Sequence, residues 1–284
     1  MKYNNFFTKS NLTNFKKMLS VTFSLSIRNE RAWVIINLSS IILVFVFAYA
    51  YSTYSKTYEL LPPQLASFLL IPAFITGAYF AIFLSNLKDT SILKRIKFVG
   101  IKRSSIIFSF IICASFFTLV SSLLSILWLF IMSKFQLQIN FVYMSNLLWW
   151  NWLWYLIVLV FIEIAILCLS VIVMDLLKGK LIRTSVPLVV ILISLIMSDV
   201  AIPSLIGGKN WFLNYFGYLC ITKYMVWILL ITSSFSFIDF GGIEQVVQSK
   251  KSFMFLNNLY ALITISIIVL GLLIYLSIRF FKWK

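Results

Sequence analysis

The chain has 284 residues, of which 62% are hydrophobic and 11% charged, with a mean hydropathy of +1.01; soluble domains run at about 45–50% apolar and about 25% charged, and a single water-facing core of this length has no room for so much apolar surface. The composition therefore predicts an all-α, polytopic integral membrane protein. The absence of histidine removes His-based acid–base chemistry, His–metal sites and histidine-dependent intramembrane proteolysis, and the net charge of +16 sits mostly between apolar runs, a pattern suited to anionic leaflets and not to nucleic acid.

Residues 12–31 come first in chain order. Phe15, Leu19, Phe23 and Ile27 recur every four positions with Lys16, Lys17 and Arg28 interleaved. That spacing predicts a helix lying in the membrane interface; a basic tail that serves topology alone is the alternative. No cleavable signal peptide is expected, because the first 31 residues are polar and lack a short apolar core.

A membrane span takes about 20 apolar residues. Windows of that length place spans at 33–54, 65–87, 105–132, 152–174, 185–206 and 255–278. Between the second and third, Ile92, Leu93 and Ile96 mark one side of a short helix while Lys94, Arg95 and Lys97 occupy others. Gly100 is expected to end it, and Lys102 and Arg103 flank the return into the membrane. Trp149, Trp150, Trp152 and Trp154 precede or open the fourth span, where indoles anchor at an interface.

Eighteen of the 24 basic residues fall on one side of this topology. They include Lys88, Lys102, Arg103, Lys178, Lys180, Arg183, Arg279 and Lys282; the other side carries Lys56, Lys134, Lys209, Lys223, Lys250 and Lys251. By the positive-inside rule both termini are cytoplasmic, which predicts a multi-pass protein of the plasma membrane. Residues 207–254 then lie outside. The stretch 211–240 is too apolar for an ordinary loop, yet holds Asn214, Gly217 and Lys223. Short helices re-entering the outer leaflet under the shelter of other helices fit it; an amphipathic helix lying on the surface is the alternative.

Two acids fall inside predicted spans, Glu163 near the centre of the fourth and Asp199 toward the outer end of the fifth. Charges at such depth usually face a bundle interior or a wet cavity. They mark a possible substrate path, or else polar helix-packing contacts. Their different depths argue against a direct pair. Cys113, Cys168 and Cys220 are far apart in apolar surroundings and read as buried hydrophobes, not a disulfide framework or metal site.

The order of these features resembles the membrane subunits of type-2 ABC exporters, the ABC-2 permease family. Local likeness is strongest over residues 89–107, where Asp89 is followed by Leu93-Lys94-Arg95, then Gly100, then Arg103-Ser104 at the return. It is also strong from Pro203 through Trp211-Phe212-Leu213-Asn214-Tyr215-Phe216-Gly217-Tyr218 to Lys223-Tyr224. Asp89 stands where glutamate is commoner in the family, and Cys220-Ile221-Thr222 lacks a proline often found there.

The resemblance implies one transmembrane domain over 1–284. It would comprise a cytoplasmic tail and interfacial helix at 1–32, a coupling loop at 88–104 and a re-entrant segment at 207–254. It implies ATPase-coupling residues Asp89, Ile92, Leu93, Lys94, Arg95, Ile96 and Gly100, with the apolar three set in a groove of the partner. No phosphate-cradling G-x-x-x-x-G-K-[ST] occurs in the chain. ATP and Mg would therefore be held by a separate ABC ATPase subunit, with no cofactor in this chain and no enzymatic activity of its own. The further partners are a second permease subunit and membrane lipid. The expected cargo is amphipathic or hydrophobic: a membrane-active peptide, a drug or a lipid-linked molecule. A membrane enzyme acting on lipid, and a stand-alone channel or secondary transporter, are the alternatives. The first lacks a polar cluster at one depth, and the second lacks visible inverted repeats.

Overall fold

A computed structural model of the chain describes residues 9–54, 62–135, 147–177, 179–201, 215–235 and 259–283. No strand occurs among them, and the protein is an all-α membrane protein. Its helices are α1 (Lys9–Ile27), α2 (Glu30–Tyr54), α3 (Pro62–Phe68), α4 (Ile71–Asp89), α5 (Ser91–Phe98), α6 (Arg103–Phe135), α7 (Trp149–Leu176), α8 (Lys180–Met197), α9 (Ile221–Phe235) and α10 (Leu259–Phe280). Five of the helical segments are long and apolar enough to cross a bilayer: α2, the α3–α4 run, α6, α7 and α10.

The second of these, α4, is the axis of the bundle. Its apolar window is 83% buried, against 28% for α2 and for α10, so neighbours surround α4 while α2 and α10 keep broad faces outward. It packs on α7, α8, α6 and α2. Gly77 permits a close approach, because a β-carbon there would stand 2.7 Å from the Glu163 carbonyl oxygen of α7. The helix is interrupted at Leu69 and Leu70, and Pro72 sits in its first turn, where a missing N–H costs nothing. The Tyr155 hydroxyl at the start of α7 donates to the Leu69 carbonyl at 2.9 Å, which fixes those two helix starts at one end of the bundle.

Phenylalanines join the first half of the chain. Phe80 of α4 meets Phe117 of α6 at 5.4 Å between centroids, Trp33 of α2 meets Phe117 at 4.7 Å, and Phe23 of α1 meets Phe116 at 5.1 Å. Each such pair contributes about 0.5–1.5 kcal/mol beyond its area. The seam that α1 turns inward is Met18, Thr22 and Ser26, with Phe15, Leu19 and Phe23 half-buried and Ile27 exposed. In α2 the buried positions are Ala32, Ile36, Ser40, Val44 and Ala48, one row at every fourth residue. Four residues overshoot a 3.6-residue turn by 40°, so the row winds by about 160° along the helix and meets α1, α6, α4 and α3.

The fifth predicted span is shorter than expected. α8 stops at Met197, nine residues before the predicted end at 206, and at 18 residues it is about 27 Å long. The cause is local. Ser198 caps the helix, and Asp199 then takes a left-handed conformation with φ of +63°, which Asp tolerates better than most residues. Residues 202–214, Pro203 among them, lie outside the described residues. α9 is shorter still, at 15 residues, and is buried on every side against α7, α3, α10 and α8. An amphipathic surface helix would keep one face open, so that alternative does not describe α9.

Candidate functional site

The segment between α4 and α6 is built by its caps. Thr90 breaks the helix with an extended backbone, its hydroxyl donating to the Leu87 carbonyl at 2.7 Å, and α5 begins at once. At the other end the Gly100 N–H donates to the Lys97 carbonyl and the Ile101 N–H to the Ile96 carbonyl, with Gly100 at φ +79°. This is a Schellman ending, for which a residue without a β-carbon is the natural choice. Gly100 ends the helix where the sequence predicts.

The orientation of α5 is the surprise. Leu93 is fully buried in the chain's own core, and Ile92 and Ile96 pack partly against it. The apolar side expected to face a partner is turned onto the bundle instead. What α5 and its cap offer to the outside is Phe98, 89% exposed, and Val99, 67% exposed, beside the exposed Asp89, Arg95, Lys97 and Gly100. The Lys94 side chain lies outside the described residues. Phe98 was legible in the spacing, because it lies about 240° around the helix from Ile92.

One residue before Asp89 stands a buried ion pair. The Lys88 ammonium lies 2.5 Å from Asp175 Oδ1 at the end of α7, both side chains being almost wholly buried. Asp175 Oδ2 accepts the Lys282 backbone N–H at 3.2 Å, beyond the end of α10. Lys88 also stands over the Phe281 ring, 4.1 Å from its centroid. The ends of α4, α7 and α10 are thus clamped together. Burying two charges costs about as much as their attraction returns, but removing one partner alone typically costs about 3–5 kcal/mol.

A second buried pair lies at the junction of α8 and α9. Lys223 is 3.2 Å from Asp199 Oδ1, and the Trp227 indole N–H donates to Oδ2 at 2.9 Å. The ammonium also faces the Tyr218 and Trp227 rings at 5.3 Å and 5.5 Å. The Tyr224 hydroxyl closes the corner by donating to the Tyr218 carbonyl at 2.7 Å. Gly217 leaves room for the lysine, since a β-carbon there would stand 2.6 Å from its nitrogen.

Glu163 stands apart from both. It is fully buried on α7, and its Oε2 accepts the Ser115 hydroxyl of α6 at 2.8 Å. Its Oε1 has no hydrogen-bond partner among the described residues. Glu163 and Asp199 are therefore not brought together, and each has its own partner. Among the described residues no group of three or more Cys, Asp or Glu could hold a metal ion.

Sequence reasoning missed Lys88, Asp175, Lys223 and Trp227 as site residues, and counted both lysines among loop charges. The signal was present for the first pair. Residues 88 and 175 end alternate spans, so they must emerge on the same side, and only eight acids exist in the chain to pair with. Compared with protein-family models, curated proteins and solved structures, the chain matches none.

Proposed function

We propose that this chain is the membrane subunit of a type-2 ABC exporter, energised by a separate ATPase and working as a pair of permease subunits in the plasma membrane. In this reading α8 is the fifth of six spans, both termini are cytoplasmic, α1 lies in the cytoplasmic interface and α5 is the coupling helix. α9 belongs to a re-entrant outer segment. At about 22 Å it is too short to span, and its burial on all sides suits a helix sheltered by protein.

The observation that carries the reading is the junction of α4, α5 and the Lys88–Asp175 clamp. A short helix with an exposed Phe98–Val99 tip is joined, within one residue of Asp89, to the tied ends of three long helices. A push on α5 would be delivered to α4, α7 and α10 together. The tip supplies the contact: two exposed apolar side chains with Arg95 and Lys97 at the rim suit an apolar groove with an acidic edge. The cargo class in this reading is an amphipathic or hydrophobic molecule, because the spans are rich in Phe, Ile and Leu.

Affinity purification of the tagged full chain from its native membranes tests this. An ABC ATPase should co-purify and hydrolyse ATP. A Phe98→Ser, Val99→Ser variant should retain several-fold less of it while melting like the parent. A preparation with no associated ATPase overturns the reading; one whose ATPase is held equally by the variant removes α5 as the contact.

A further inference from the structure

Glu163 is the buried acid that the exporter reading does not use. Three helices converge on it. Its own α7 carries it, Gly77 brings α4 into backbone contact at that turn, and α6 supplies Ser115. No Lys or Arg ion pair reaches it among the described residues; the pairs there join Lys88 to Asp175 and Lys223 to Asp199. Its titratable neighbours are Cys113 of α6 and Cys168 of α7, and neither supplies positive charge.

A carboxylate in this place would hold a full charge away from water on one hydroxyl bond, with Oε1 unpartnered among the described residues. A neutral acid leaves at most one unpaired O–H. The unpaired hydroxyl is far the cheaper of the two in a medium that cannot solvate charge. Ser115 is only half-buried, and its neighbours Ile112 and Phe116 on α6 are exposed and apolar, so Glu163 lies one hydrogen bond beneath an outer face of the bundle that offers no polar group to solvate a charge.

From this geometry we infer that Glu163 is a resident proton-binding site, a carboxylic acid carrying its proton on Oε1 while Oε2 accepts from Ser115. Binding adds one proton to the carboxylate and forms one O–H bond; nothing is oxidised and nothing leaves. Ser115 is the positioning residue that stands between the acid and the surface. The inference does not depend on the exporter reading, since it needs no partner subunit.

Difference infrared spectroscopy on the purified full chain in lipid nanodiscs at neutral pH decides it. Subtracting the Glu163→Gln spectrum from the parent should leave one carboxylic-acid C=O band, which moves to lower frequency in D2O. In Ser115→Ala that band should persist and move to higher frequency, because the carbonyl loses its donor. If the parent-minus-variant spectrum shows carboxylate bands and no acid band, Glu163 is ionised and the inference is wrong. Should Glu163→Gln not insert, Ser115→Ala settles the matter alone: a shifted acid band supports the site, and an unchanged acid region overturns it.

Discussion

The two buried ion pairs among the described residues close very different lengths of chain. Lys88 and Asp175 are 87 residues apart, and the Lys282 N–H on the same carboxylate is 107 residues from it. Asp199 and Trp227 are only 28 residues apart, with Lys223 between them. The first pair ties three distant helix ends and becomes correct only when the bundle is assembled. The second shapes one corner, between the end of α8 and the start of α9. Similar chemistry thus serves global assembly in one place and a local turn in the other.

The largest test of that contrast is Asp175→Ala. It takes the carboxylate from a buried ammonium and releases the C-terminal segment, so it should cost about 3–5 kcal/mol and lower the melting temperature of the whole bundle. Lys88→Met combined with Asp175→Leu should recover most of the loss, because matched apolar replacements remove the desolvation cost. A single variant that melts like the parent would reduce the clamp to a passive contact.

The corner should respond less and more locally. Trp227→Phe keeps a ring over Lys223 but removes the charge-assisted bond to Asp199, worth about 1.5–3 kcal/mol. Hydrogen exchange should quicken over residues 215–227 while α4 and α7 keep their protection. Equal quickening in α4 would mean that the two pairs belong to one cooperative unit and the contrast is false.

The smallest effect separates backbone from side chain at the clamp. Asp175 is bonded by the N–H of residue 282, not its ammonium. Lys282→Ala should therefore shift stability by no more than about 0.5 kcal/mol, whereas Lys282→Pro, which has no N–H, should cost about 1–3 kcal/mol. Thermal melts of the two variants side by side give the answer.

Hydropathy reads these helices well because lipid demands long apolar runs, and α2, α6, α7 and α10 fall within a few residues of their predicted limits. Gly100 was readable for the same kind of reason, since a helix followed by glycine has a geometric preference of its own. The end of α8 was not readable. Hydropathy continues through residues 198–206, and only the recruitment of Asp199 by Lys223 and Trp227, contacts from another helix, turns the chain there. The facing of α5 escaped for a related reason. An apolar stripe says that one side is buried but not by whom, and here the chain buries Leu93 against itself. Counting charges by side likewise treated Lys88 and Lys223 as solvated, because composition does not reveal which carboxylate a lysine will find.

The winding row on α2 has a consequence for how this protein tolerates change over generations. Ala32, Ile36, Ser40, Val44 and Ala48 are buried on a helix that packs on α1, α3, α4 and α6, so each is constrained by the space its neighbours leave. Between them Val34, Ile35, Leu38, Ile42 and Val46 face outward, where one greasy side chain is as acceptable as another. Drift along α2 should therefore be free at these outward positions and arrested at every fourth. Descendants of this chain would share a thin helical thread at these five positions, long after the outward positions had lost all likeness.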